Sequence, residues 1–187
     1  MKPANRLKSA LAYLLGAAAV IAVDQGYKKY IVDTMALGES RTWIPGVLDI
    51  TFIRNTGAAF GMMKGGRWAF LVLLAAFCVL VVWAIRTNRI ADGFSRWMAV
   101  LALGGALSNG IDRAVAGSVV DMFEPTFIQF AIFNVADAVM NVCAVLFILR
   151  MLFSKEPSPA EAPEESAPAA ASEAVTGESG TDGVGEP

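Results

Sequence analysis

WAFLVLLAAFCVLVVWAI, residues 68–85, decides the class of this fold: its eighteen positions hold no charge and no amide. As a helix the run rises about 27 Å, close to the ~30 Å hydrocarbon thickness of a bilayer. Arg67 and Arg86 bound it on either side. Three further apolar segments lie around it. The first runs from Ala10 to Val23 and continues as Asp24-Gln25-Gly26-Tyr27-Lys28-Lys29 to Val32. Another starts at Trp97 and turns polar at Ser108-Asn109. The last runs from Val135 to Phe153, with one acid, Asp137, near its start. The chain as a whole is 56% hydrophobic, with a mean hydropathy of +0.54. These features predict an all-α membrane protein of four transmembrane helices, about residues 10–32, 68–85, 97–113 and 134–153.

The long connection after the first helix interrupts this pattern. Within VLDITFIR, residues 47–54, Leu48, Ile50 and Phe52 alternate with Asp49, Thr51 and Ile53, as in a strand. Asn55-Thr56-Gly57 follows as a turn signal. A small extracytoplasmic β-sheet is therefore expected over about residues 38–66.

Charge is unevenly placed. Eight acids and no base fall in residues 156–187, leaving residues 1–155 with 15 basic and 9 acidic residues, net +6. Lys2, Arg6, Lys8, Arg86, Arg89, Arg96, Arg150 and Lys155 crowd one set of helix ends, which reads as both termini inside the cell. Trp68, Trp83 and Trp97 near segment ends suit an aromatic belt. A competing reading takes the basic, apolar N-terminus as a cleavable signal peptide; it would leave three spans. Residues 1–155 are expected to form the membrane domain. Residues 156–187, rich in Pro, Ala, Glu, Ser and Gly, are expected to be a disordered cytoplasmic tail.

The chain has no histidine, which excludes a Ser-His-Asp triad, a Cys-His pair and a His-ligated zinc site. Cys78 and Cys143 lie inside apolar runs and read as packing residues. What remains is carboxylate, Lys, Tyr or Ser/Lys chemistry.

Polar groups in or beside spans are expensive and mark candidate sites. Here they are Asp24, Lys28, Arg54, Asn55, Asn109, Asp112, Arg113, Asp121, Asn134 and Asp137. Each also has a plainer reading. Asp24 and Lys28 fit an i,i+4 ion pair. Asn134 and Asp137 fit a helix cap with an acid in the first turn. Asp121, between Val120 and Met122, could lie on a solvated loop. Gly105, Asn109 and Arg113 fall four apart and share one helix face, with Gly104, Gly105 and Ala106 permitting close helix approach. Two neighbouring carboxylates that share a proton supply a general base and a general acid without histidine or metal. Spacing leaves open which two of Asp24, Asp112, Asp121 and Asp137 form such a pair.

Five motifs, in this order, resemble the lipoprotein signal peptidase (signal peptidase II) family: Asp24-Gln25-x-x-Lys28, Asn55-Thr56-Gly57-Ala58-Ala59-Phe60-Gly61, Gly104-Gly105-x-x-x-Asn109-x-x-Asp112-Arg113, Val119-Val120-Asp121 and Phe133-Asn134-Val135-Ala136-Asp137. The resemblance covers about residues 10–153. It implies Asp121 and Asp137 as catalytic aspartates, with Asp24, Asn55, Gly105, Asn109, Arg113 and Asn134 in support. It also implies an aspartic endopeptidase of the bacterial inner membrane, active near the extracytoplasmic face. Its substrates would be prolipoproteins bearing a diacylglyceryl cysteine, cut N-terminal to that cysteine. Membrane lipids are the expected surroundings and globomycin the expected inhibitor. No metal, cofactor or nucleic acid is expected, and the protein is expected to be a monomer. Ser108 departs from the family's usual glycine. A small transporter using the same acids as an ion path, or a non-catalytic scaffold, are the competing classes. The first lacks inverted repeats, and the second predicts that both aspartates are dispensable.

Overall fold

The computed structural model describes residues 3–57 and 66–153. Four helices form where apolar runs predict them: α1 (Pro3–Thr34), α2 (Arg67–Arg86), α3 (Gly93–Ala116) and α4 (Val135–Phe153). Three are long and apolar enough to cross a membrane: α1 from Leu7 to Thr34, then α2 and α4. Large apolar side chains such as Leu14, Leu15, Val72, Val79, Val145 and Ile148 point outward from them. In water such a surface would aggregate; in a bilayer it meets lipid.

The remaining helix, α3, is the axis of the bundle and packs against α1, α2 and α4. Its 24 residues would span about 36 Å, but its polar content keeps it out of the apolar class. It starts four residues before the predicted Trp97. The Asp92 side chain accepts the Ser95 N–H at 2.9 Å and caps the helix there. Gly104 and Gly105 set its distance to two neighbours at once. A Cβ on Gly104 would stand 2.9 Å from the Ala17 carbonyl of α1, and one on Gly105 would stand 2.8 Å from the Ala136 carbonyl of α4. Trp97 departs from the belt expectation: its ring packs edge-on against Tyr13 at 4.8 Å and covers Gly16. Trp68 and Trp83 are exposed. Cys143 is buried, Cys78 half-buried, and both are free thiols.

The expected small sheet is present beside the helices. A three-stranded antiparallel sheet, in the order β1 (Ser40–Ile44), β2 (Leu48–Asn55) and β3 (Val119–Pro125), caps the bundle. The first two strands lie within the predicted 38–66 stretch; its residues 58–65 lie outside the described residues. The third corrects the loop reading of Asp121. Val119 through Met122 are all buried, on both faces of the strand, so no alternation marks them in the sequence. Gly117, in the left-handed conformation at φ 72°, ends α3 and turns the chain straight into β3. The end of α1 joins sheet to bundle: Ile31 and Met35 pack with Phe52, Val120 and Met122. The expected acidic tail, 156–187, lies outside the described residues.

Gly105→Ala is expected to lower stability by about 1–3 kcal/mol through overpacking against α4. Gly26→Ala, where an added Cβ meets nothing within 4 Å, is expected to be neutral or stabilising. Thermal unfolding of the two variants in detergent should rank them in that order.

Candidate active site

Asp121 reaches the site by way of the sheet. It sits on β3 opposite Ile53 and is 1% exposed. The Asn55 amide donates to its Oδ2 at 2.9 Å, and the Asn134 amide donates to its Oδ1 at 2.6 Å. Asn55 is itself oriented, because its Oδ1 accepts the Gly57 N–H at 2.9 Å. That closes an Asx turn and leaves the NH2 group facing Asp121.

Asp137 reaches the same place on the first turn of α4. The plain capping reading is correct: the Asp137 N–H donates to Asn134 Oδ1 at 3.0 Å, and the Asn134 N–H donates back to Asp137 Oδ2 at 3.3 Å. The cap also has a second use. The NH2 of fully buried Asn134 points away from the helix, to Asp121 Oδ1 and, at 3.1 Å, to Asn109 Oδ1. Asn109 in turn donates to Asp137 Oδ1 at 2.7 Å. Asn109 and Asn134 thus tie the two carboxylates into one hydrogen-bonded group.

Burial pushes the Asp121 carboxyl from the usual 3.8 up to about 6, and the charge of Asp137 adds to this. The amides of Asn55 and Asn134 and the charge of Lys28 oppose it. Behind the pair lies a buried ionic cluster. Lys28 Nζ is 2.7 Å from Asp24 Oδ2, 2.7 Å from Asp112 Oδ2 and 2.8 Å from Asn109 Oδ1. Asp24 also accepts the Ala136 N–H at 2.8 Å and the Ser108 hydroxyl at 2.7 Å. Its charge therefore sits at the N-terminus of α4, where the helix dipole favours it. Ser108, the departure from glycine, gives buried Asp24 an extra donor.

Both Asp121 and Asp137 line a cavity of about 450 Å3. Leu73, Leu74, Phe77, Ile132 and Met140 form apolar walls; Asn55, Asn109 and Arg113 supply polar edges. Arg113 lies 4.2 Å over the Phe70 ring and donates to the Gly57 carbonyl at 3.0 Å. It therefore pins the turn that follows β2. Among the described residues no group of three His, Cys, Asp or Glu side chains is placed to hold a metal.

Of the residues singled out in the sequence, Asp121, Asp137, Asn55, Asn109 and Arg113 line the cavity, and fully buried Asn134 bonds to Asp121 and Asn109 behind them. Asp24 and Gly105 lie behind the cavity, and Arg54 stays exposed. The supporting set for the site omitted Lys28, Gln25, Ser108 and Asp112, which the structure joins. A signal for them exists. Asp24, Gln25 and Lys28 have the spacing i, i+1, i+4, and so do Ser108, Asn109 and Asp112. Two helices with the same polar stripe have reason to face each other.

A family model described as signal peptidase (SPase) II matches residues 16–153. The lipoprotein signal peptidase of Streptococcus pneumoniae is 39% identical over 136 residues, which cover 71% of this chain and 87% of that protein. That of Lactobacillus johnsonii is 36% identical over 152 residues, covering 81% and 98%. A bacterial membrane enzyme solved by the in meso method at 2.3 Å superposes with a TM-score of 0.72 at 33% identity, covering 75% of this chain and 87% of that one. A second, solved at 1.9 Å, gives 0.71 at 32% identity, covering 77% and 94%.

The raised pKa of Asp121 has a consequence for stability. An acid with a folded pKa above its unfolded one stabilises fully below the lower value and loses that stabilisation as pH rises through the higher. Wild-type protein should therefore lose thermal stability relative to Asp121→Asn between pH 3.8 and about 6, by on the order of 3 kcal/mol. Parallel melting curves of the two proteins across pH 4–8 would contradict this.

Proposed function

This chain belongs to the signal peptidase II family, and from that membership we propose that it is a membrane aspartic endopeptidase. It removes the signal peptide from bacterial prolipoproteins, cutting N-terminal to a diacylglyceryl-modified cysteine. The observation that carries the proposal is that Asp121 and Asp137, joined through Asn109 and Asn134, line one cavity with apolar walls.

The two carboxylates share one proton and hold a water between them. The ionised member takes a proton as the water attacks the scissile carbonyl. The protonated member hydrogen-bonds to the carbonyl oxygen and then protonates the leaving amine. No covalent enzyme intermediate forms. The elevated pKa of Asp121 supports this division, since it keeps a proton available near neutral pH. Toward the two carboxylates the side-chain amides of Asn55, Asn109 and Asn134 act as donors, so they hold both side chains without competing for the shared proton.

The apolar walls suit a substrate that arrives as a membrane-embedded segment with acyl chains beside its scissile bond. We take α3 as a fourth span, which puts both termini in the cytoplasm and the sheet and cavity at the extracytoplasmic face of the inner membrane. The protein acts as a monomer within the lipid, without cofactor or metal, and globomycin blocks it.

Asp121→Asn and Asp137→Asn should each abolish cleavage of a diacylglyceryl-modified prolipoprotein while the protein still inserts. Cleavage by either purified variant would sink the mechanism. Globomycin should inhibit the wild type.

The rate should be bell-shaped in pH, its limbs belonging to the coupled pair. Asn55→Ala removes a donor that favours ionised Asp121, so the last proton leaves at higher pH and the upper limb moves up. An unmoved or lowered upper limb would count against the pair.

A further inference from the structure

Lys28 touches neither Asp121 nor Asp137 directly, yet its buried ammonium commits three contacts at hydrogen-bond distance, one of them to Asn109. We propose that Lys28 is a positioning residue for Asp137: it fixes the orientation of the Asn109 amide so that NH2, not the carbonyl oxygen, faces the carboxylate. This inference rests on the aspartate-pair reading above.

A primary amide fits its site in two orientations of nearly the same shape. In one, Asn109 donates to Asp137 Oδ1; in the other, two oxygens meet and repel. The donors on Asn109 Oδ1 select between them. There are two, Lys28 Nζ at 2.8 Å and Asn134 Nδ2 at 3.1 Å. The Asn134 group is neutral and is shared with Asp121 Oδ1 at 2.6 Å and the Val120 carbonyl at 3.4 Å. The Lys28 group is charged, shorter and about twice as strong a donor. Turning the amide would set its NH2 against the ammonium.

Ionised Asp137 would select the same orientation by itself. During the reaction, however, the shared proton moves, and a protonated Asp137 loses that preference. Lys28 Nζ stays anchored by Asp24 and Asp112, so it holds the amide in place when Asp137 does not. Neutralising the two carboxylates accounts for two of its contacts; the third is aimed at Asn109.

The test needs a variant that cuts this link while keeping the net charge of the buried cluster. Lys28→Met combined with Asp112→Asn removes one positive and one negative charge. Asp24 then keeps the Ser108 hydroxyl and the Ala136 N–H. Purified full-length protein in detergent is assayed on a diacylglyceryl-modified prolipoprotein, with kcat and KM separated. The double variant should elute like wild type, melt lower because buried Asp24 loses its ion partner, and keep KM within about twofold, with kcat falling roughly 10- to 100-fold. Asp112→Asn alone, which leaves the Lys28–Asn109 contact in place, should lose less kcat than the double variant. Lys28→Gln with Asp112→Asn, which restores a neutral donor at position 28, should regain part of the lost kcat. Adding Asn109→Ala to the Lys28→Met double variant should cost no more than Asn109→Ala alone, because both act on one contact.

Wild-type kcat in the Lys28→Met double variant overturns the proposal, as do losses that multiply with Asn109→Ala. Misfolding of both position-28 variants also overturns it, in favour of a purely structural lysine. Asp137→Asn is run beside them. If it cleaves, the aspartate pair itself is wrong; if it is dead while the double variant is fully active, only the role of Lys28 falls.

Discussion

A buried ammonium on α1 is the constraint around which this protein is built. Lys28 is 3% exposed and sits one turn from Asp24, which is fully buried. Ions removed from water to this extent are tolerable only with every polar atom satisfied, and stripping one partner from such a pair costs about 3–5 kcal/mol. The partners come from all three helices at the seam: Asp24 from α1, Ser108, Asn109 and Asp112 from α3, and the Ala136 N–H from α4. The register of α1, α3 and α4 is thereby locked at one level. Gly104 and Gly105 permit the close backbone approach that the short contacts require. Polar specificity fixes the geometry where apolar packing against lipid gives little direction.

Above that cluster the two carboxylates arrive by different physical routes. Asp137 comes on a helix whose first turn is capped by Asn134 and supported by the charge of Asp24. Asp121 comes on a strand whose neighbour supplies Asn55. The bundle thus carries one acid and the sheet carries the other, and the packing of Ile31 and Met35 against Phe52 and Met122 keeps the two supports together. A site at that seam has a polar floor and apolar walls, which is the environment that holds one acid partly protonated.

The helices were legible because lipid-facing segments have little freedom of composition. The run 68–85 could be little else. Strand β2 was legible because Leu48, Ile50 and Phe52 alternate with Asp49 and Thr51 in composition, although Thr51 and Phe52 are both buried. Strand β3 was not, because Val119 to Met122 are buried on both faces and leave no alternation to read. In the site, the acids and amides stood out by their cost in apolar surroundings, and five ordered motifs chose among them. The partners of Lys28 were hidden for another reason. An i,i+4 pair with Asp24 already accounted for its charge, and nothing in one helix says that its third N–H points to another helix. The cavity, bounded by residues scattered between Asn55 and Asn141, has no local trace at all.

Asn134 both starts a helix and holds the acid on the sheet, and this sets an order of events during synthesis. The bond between Asp24 and the Ala136 N–H closes a separation of 112 residues. A growing chain that ends before residue 134 has one carboxylate of the pair, in a sheet that still lacks its main donor. It also has a buried acid on α1 awaiting a helix end. Such a chain lacks one half of the proposed aspartate pair. On the proposed mechanism the site is complete only once the last helix is in place.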